Sequence, residues 1–491
     1  MRRRSLRTAA TFAVVLALTA GACAEHASGP PDGASADQGQ GEGEAPAGDG
    51  AANISWSECG SGLECAELDV PVDYDAPEGD TLTLSISRVP ASGDRIGALF
   101  VNPGGPGGTA TDFAADVAAS LPSDVTDRFD VVGVDPRGLG ASEIDCGVDP
   151  HELYNLDYTI DSEEDEATLL DVSEDYVADC EQGVGDLLPH LGTRNVARDM
   201  DAVREAMGDE QASFLMYSYG TAIAQVYADL FPDRVRAMVI DGVLELGPSG
   251  VESATDQAAG FEQALGSFVD DCNDNDDCPI GPDAEGALDE LTAQVEEEPV
   301  PASPRDLGPG ELQVGLGEAL YAEFLWPDLA DGIAEALDGD GSGIVALADE
   351  YLERSDFDLY FAVNCVDFAW PDDPEQLLED GAAAEDKAPH FGEALVNDYV
   401  RCSMWPAEAD PLDAVSGAGT PTILVVGTTN DPATPYAQAQ NVAEALPDAV
   451  LLTYDGEGHG VVASGVECID DAVATYLVDL EPPDEGTTCS S

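Results

Sequence analysis

Five short apolar runs with no polar member limit what this chain can become: residues 98–101 (ALFV), 131–134 (VVGV), 214–216 (FLM), 237–240 (AMVI) and 423–426 (ILVV). A strand with one wet face alternates polar and apolar side chains, as residues 81–89 (TLTLSISRV) do. An unbroken run needs cover on both faces, which is the condition of a strand inside a parallel sheet. Between the runs the apolar spacing becomes helical. Met200, Val203 and Met207 mark a helix over residues 198–207, and residues 221–231 form another. Alternation of this kind predicts an α/β domain, a mostly parallel central sheet with helices on both faces.

The middle of the chain breaks the alternation. Residues 243–398 carry helical stretches (257–268 and 318–337), the acidic glycine-rich link DGDGSG (338–343) and no clear buried strand. The expected organisation is a first core segment over 53–242, a helical cap inserted over 243–398, and a second core segment over 399–491. Ahead of these lies MRRRSLRTAATFAVVLALTAGACA, a basic stretch, an apolar stretch and small residues, the layout of an export signal over 1–22. Two processing outcomes compete. Ala20-Gly21-Ala22-Cys23 resembles a bacterial lipobox, with lipid on the Cys23 thiol, and ordinary cleavage after Ala22 or Ala24 is the alternative. Residues 23–52, rich in Gly, Ala, Pro and acid, read as a disordered tether. The expected location is the outer face of the cell membrane through the lipid, or else secreted.

With Cys23 used as an anchor, ten of the 11 cysteines remain, an even number in a compartment where disulfides persist. They fall in neighbouring couples, and spacing alone predicts sequential pairing: Cys59 with Cys65, Cys146 with Cys180, Cys272 with Cys278, Cys365 with Cys402, Cys468 with Cys489. No Cys-x-x-Cys pair or histidine cluster supports zinc. The 100 acidic residues against 17 basic ones give a formal charge of −83. Such a field repels nucleic acid and anionic membrane surfaces at low salt. Because the acid is spread over the whole chain, it reads as a solvated surface adapted to high salt rather than a trap for cationic substrates.

Serine hydrolysis needs a hydroxyl, a base beside it, a carboxylate to orient the base, and donors for the oxyanion. Ser218 lies between the run 214–216 and the helix from Thr221, in YSYG, a strand-to-helix context, although it also suits a helix N-cap. Asp431 follows the run 423–426 in TTNDPATPY, at the carboxyl end of a strand, where it also suits a turn before Pro432. His459, one of five histidines, sits in the glycine-flanked loop DGEGHG. VNPGGPGGTA (101–110) offers backbone N–H groups without side-chain obstruction, one half of an oxyanion hole, and the N–H of Tyr219 offers the other. No Gly-Lys-Ser/Thr follows, so a phosphate-binding loop is excluded. These parts arrive in the order serine, acid, histidine, and together point to a serine hydrolase that needs no metal or organic cofactor.

NPGGPGG (102–108), GVDPRGLGAS (133–142), YSYGT (217–221) with YADLFPDRVRAMVIDGV (227–243), NDPATPY (430–436) and GEGHG (456–460) resemble the secreted bacterial tripeptidyl aminopeptidases. These are serine exopeptidases of the α/β-hydrolase fold related to proline iminopeptidases. The resemblance implies Ser218 as nucleophile, Asp431 as acid, His459 as base and Gly105 as an oxyanion donor. It also implies peptide substrates with a free N-terminus, whose amine needs carboxylates at the end of the pocket. Glu323 and Asp367, beside Phe324, Trp326 and Phe368, are candidates for that task, with solvated surface or cap structure as the alternative. Met216 departs from the pattern, because the first elbow position is usually Gly; it requires a shifted helix or a smaller neighbour. A carboxylesterase on the same fold and a binding lipoprotein that has lost its rate are the competing readings.

Self-repulsion at this charge density makes the fold salt-dependent. The melting temperature is expected to rise with added salt, and a flat response in a thermal melt would contradict this.

Overall fold

The computed structural model describes residues 54–490 apart from Asp161, so the export signal, Cys23 and the tether lie outside the described residues. Ten strands occur among the described residues: β1 (Ser57–Gly60), β2 (Leu63–Pro71), β3 (Thr81–Val89), β4 (Gly97–Asn102), β5 (Phe129–Val134), β6 (Ala212–Tyr217), β7 (Val235–Asp241), β8 (Ile423–Asn430), β9 (Ala449–Glu457) and β10 (Thr488–Ser490). They form one sheet in the order β1-β2-β3-β5-β4-β6-β7-β8-β9-β10. The pairs from β5 through β4 and on to β10 are all parallel. The first three strands join antiparallel at the other edge.

All five apolar runs lie in β4 to β8, and every residue of β4, β5 and β6 is buried. Alternate side chains serve opposite faces of the sheet. Phe100, Phe214 and Met216 enter one core cluster, while Leu99, Val101 and Leu215 enter another. The mostly parallel α/β sheet expected from the runs is therefore observed. The edge strands β1 and β10, and β2 beside the first, were not legible. β10 has three residues, and its Cys489 is tied to Cys468 at the start of the helix Glu467–Asp479.

The helix expected over 198–207 runs from Thr193 to Met207 and stops at Gly208, whose φ of 81° is the left-handed conformation that ends many helices. Its first turn, Thr-Arg-Asn, gave no apolar signal. The expected helix over 318–337 is corrected. Pro309–Leu320 ends, a 3-10 turn follows at Glu323–Leu325, and Trp326–Leu337 begins anew with Pro327 in its first turn. Proline lacks an N–H and fits a helix start, where no partner is needed, but not a helix interior.

Between β7 and β8 the chain is helical from Gly250–Asp274 to Gly392–Asn397, with one isolated bridge, Val300 to Leu307. These helices have a core of their own, including Phe268, Leu291, Leu316 and Trp326. All five cysteine couples are joined as their spacing predicted. Two arginines are fully buried. Arg137 donates to Asp199 at 2.7 and 2.8 Å and to the carbonyl of Val72 at 2.8 Å. Arg401 lies over the Phe361 ring at 4.1 Å and donates to Asp398 at 3.2 Å. A buried charge without such partners costs several kcal/mol.

Gly133, in β5, is a packing requirement. A Cβ there would stand 1.9 Å from the carbonyl oxygen of Ala110, where the helix Ala110–Ser120 begins over the sheet. Backbone cannot swing aside as a side chain can. Gly133→Ala is expected to cost roughly 1–3 kcal/mol, read as a lowered thermal midpoint; an unchanged midpoint would show that the helix yields.

Candidate active site

Five neighbouring parallel strands end on the same side of the sheet, where open α/β sheets gather ligand-handling groups. The glycine-rich loop follows β4, Ser218 follows β6, Asp241 closes β7, Asp431 follows β8, and His459 lies two residues past β9.

Ser218 has φ 54° and ψ −129°, a conformation that L side chains rarely adopt. Strain of this kind persists only where the surroundings enforce it. Here the Ser218 N–H donates to the carbonyl of Asp241 at 3.0 Å. The helix Tyr219–Leu230 starts at the next residue. The Tyr219 N–H therefore lies in a helix first turn, where N–H groups lack intrahelical partners. Gly104 packs against this elbow, since a Cβ on it would come within 2.6 Å of the Ser218 Cβ and 3.0 Å of the Tyr219 nitrogen. Gly105, with φ 109°, borders the same cavities as Ser218.

Met216 is accommodated without losing the close approach. The helix meets the sheet at Gly220, where a Cβ would lie 2.9 Å from the Asn102 Oδ1. The small Ala222 and Ala224 share the buried cluster that holds Met216.

His459 and Asp431 are brought together. The His459 Nδ1 lies 2.8 and 2.9 Å from the two Asp431 oxygens. Asp431 accepts further bonds from the Ala433 N–H at 3.0 Å and the Thr434 N–H at 2.9 Å. The Thr434 hydroxyl donates to Asp431 Oδ2 at 3.2 Å and lies 3.3 Å from the His459 Nδ1. The other ring nitrogen, Nε2, is buried and has no hydrogen-bond partner. Burial, the largest influence, pushes the imidazole toward neutrality, but Asp431 beside it and Asp241 more weakly outweigh this and hold its pKa above the ordinary value. The inserted helices also reach the histidine, whose N–H donates to the Tyr321 carbonyl at 3.0 Å and whose ring meets the Tyr321 ring edge-on at 5.5 Å.

Two cavities open on Ser218 and share Gly105, Gln257 and Tyr360 as wall. The first continues past Tyr219, Asn364, Phe368, Trp370 and Thr434. The second runs between Phe261, Tyr321, Tyr351 and Phe391 to Gln313, Glu318 and Asp398. Glu318 is 1% exposed and paired with Arg354, and burial pushes its pKa up to about 7.

The two carboxylates expected at the end of the pocket are elsewhere. Glu323 is exposed in the turn Glu323–Leu325. Asp367 is buried and accepts from the Thr193 N–H at 3.1 Å and the Thr193 hydroxyl at 2.5 Å; that hydroxyl also meets the Tyr219 hydroxyl at 2.6 Å. Neither borders the two cavities. Helices full of acid give no sequence signal for which carboxylate faces inward, so the sequence did not single out Glu318 and Asp398, which border the second cavity, nor Tyr321. Asp241 had a signal, shared with Asp135, as an acid directly following a wholly apolar run.

A serine on an enforced strand-to-helix turn and a carboxylate-held imidazole, both at the strand ends of this sheet, define a serine hydrolase of the α/β-hydrolase fold. Residues 97–297 match the family model described as alpha/beta hydrolase fold, and residues 388–489 match that of TAP-like protein. The chain is 37% identical over 475 residues to serine protease Hip1 of Mycobacterium tuberculosis, covering 89% of this chain and 91% of the relative. It is 35% identical to carboxylesterase B of the same species, covering 89% and 90%. It is 30% identical to tripeptidyl aminopeptidase of Streptomyces lividans, covering 89% and 87%. The chain belongs to this tripeptidyl-aminopeptidase-like family of α/β-hydrolases.

If Asp431 sustains the raised imidazole, Asp431→Asn leaves burial as the main influence. An NMR titration of His459 in that variant is expected to give a pKa below the ordinary value of about 6.5, and an unchanged titration would contradict the assignment.

Proposed function

We propose that the protein is an exported serine exopeptidase that cleaves peptides near a free N-terminus. Ser218 attacks the amide carbonyl while His459, oriented by Asp431, takes its proton; the N–H groups of Gly105 and Tyr219 receive the oxyanion. The protonated base then donates to the leaving amine, and water activated by the same imidazole releases the acyl group. The observation that carries this reading is the Asp431–His459 pair with Nε2 left unpartnered, at the same strand-end edge as the elbow of Ser218.

Residues 53–242 and 399–491 form the catalytic core in this reading, and 243–398 the cap over it. The cap supplies most of the lining of the second cavity, which combines aromatic side chains with the carboxyl groups of Glu318 and Asp398. A peptide laid along it with its carbonyl at Ser218 presents its ammonium group to Glu318 and Asp398. Glu318 with a pKa of about 7 ionises across neutral pH, so a cationic amine favours its charged form. The names of the tripeptidyl aminopeptidase and Hip1 relatives support peptide substrates. Lipid attachment at Cys23 would hold the enzyme on the outer membrane face. The carboxylesterase-named relative favours a second reading, ester hydrolysis by the same groups.

Chromogenic tripeptidyl amides with free and acetylated N-termini separate these readings. Cleavage is expected only with the free amine and lost by at least about 10³-fold in Ser218→Ala. Glu318→Gln is expected to raise KM for the free-amine substrate while sparing p-nitrophenyl esters. Ester turnover without amide turnover would establish the esterase, and silence on both substrates a binding protein.

A further inference from the structure

Asp241 touches both halves of the catalytic arrangement, yet it is neither the nucleophile, the base nor the acid. It closes β7 and is wholly buried. Its carbonyl accepts the Ser218 N–H at 3.0 Å, the bond that holds the strained elbow. Its carboxylate Oδ2 accepts the N–H of Val461 at 2.7 Å and of Val462 at 2.8 Å, in the segment immediately after His459. One residue therefore fixes the serine through its backbone and the histidine loop through its side chain. The next residue, Gly242, has φ 64°, and a Cβ on it would lie 2.8 Å from the His459 Cε1, so the imidazole rests directly on this strand end. A second tie spans the same gap, because the Tyr217 hydroxyl donates to the Val462 carbonyl at 3.1 Å.

Two N–H groups could have been satisfied by a neutral acceptor. A carboxylate is present instead, and its second oxygen, Oδ1, is buried with no hydrogen-bond partner. Leaving such an oxygen unpaired when it is buried is costly. Its charge is sensed by the imidazole, whose pKa it raises. Resting on the triad reading above, we infer that Asp241 is a positioning residue for catalysis, which sets the distance between Ser218 and His459 and adds a second negative charge that favours the imidazolium formed during acyl transfer.

The titratable groups around Asp241 are His459, Asp431 and the Tyr217 phenol. Burial, the largest cause, pushes Asp241 up to about 6, against the two N–H bonds and His459, which pull it down. The sign of the pH effect follows. His459 must be neutral to act as base, so activity climbs as pH rises through its pKa, and Asp241 loses its proton in the same range. Two groups then shape the acid limb of kcat/KM in the native enzyme.

Asp241→Asn keeps an oxygen for the Val461 and Val462 N–H groups and removes the charge. In this variant kcat is expected to fall, up to about 10²-fold, with KM within about twofold. The acid limb is expected to move to lower pH and to lose its steepness, and the His459 imidazole, followed by NMR, to titrate lower than in the native protein. Tyr217→Phe removes the uncharged tie, and is expected to lower kcat without moving the acid limb. An unchanged acid limb and imidazole titration in Asp241→Asn would overturn the proposal, as would a fall in stability alone with kcat retained. If Asp241→Asn fails to fold, a single-proton acid limb in the native enzyme overturns it. Activity surviving in Ser218→Ala would instead defeat the triad reading, and the His459 titration in Asp241→Asn still decides whether this carboxylate acts on the imidazole.

Discussion

A strand covered on both faces has no room for a polar side chain until it stops. In β4 to β8 that restriction is nearly complete, and it collects the chemistry at one edge: the glycine loop, Ser218, Asp241 and Asp431 each stand at the point where a strand ends. His459 arrives from the next strand. Parallel strands make this edge common to all of them, so residues far apart in sequence meet without any long loop carrying them. The short contacts follow from the same crowding. Gly104 and Gly242 are glycines because the serine and the imidazole lie where their Cβ atoms would be.

The inserted helices depend on this edge for a floor and return two kinds of support. They close the cavities above Ser218, and Tyr321 holds the histidine by its backbone. Their own cohesion draws on scarce cations. In a chain with 17 basic and 100 acidic residues, Arg401 is wholly enclosed among Phe361, Tyr158 and Tyr176 rather than left to balance surface acid. The disulfide from Cys365 to Cys402 ties the helix Phe357–Asp367 to the turn that carries Arg401. Burial of that charge against aromatic faces and one carboxylate makes this region a fixed roof, held by interactions that added salt screens far less than surface pairs.

How much of this could be read from the sequence follows from what each signal measures. Unbroken apolar runs report burial on two faces, and they located β4 to β7 to within two residues at each end, while β8 continues four residues past its run. The edge strands β1 and β10, and β2 next to the first, carry mixed residues, because the sheet is half wet there, and they left no comparable mark. Ser218, Asp431 and His459 were visible because each follows a legible strand. The carboxylates of the cavity were not, since Glu318 differs from its many acidic neighbours only in which way its helix faces, and Glu323 and Asp367 were chosen without that information. Residue 327 shows the same limit on a small scale: a proline that restarts a helix was passed over inside an apparently continuous apolar pattern.

The bond from the His459 N–H to the Tyr321 carbonyl has a consequence for modularity. A cap joined to its core only through its two chain connections can be exchanged between relatives as a specificity cassette, with the chemistry left intact below. This one cannot. One end of the His459 loop is moored to the sheet and the other to the inserted helices, so grafting foreign helices there, or lengthening the turn after Tyr321, displaces the imidazole together with the cavity wall. Divergence of substrate preference in such an architecture is confined to side chains that leave this backbone undisturbed.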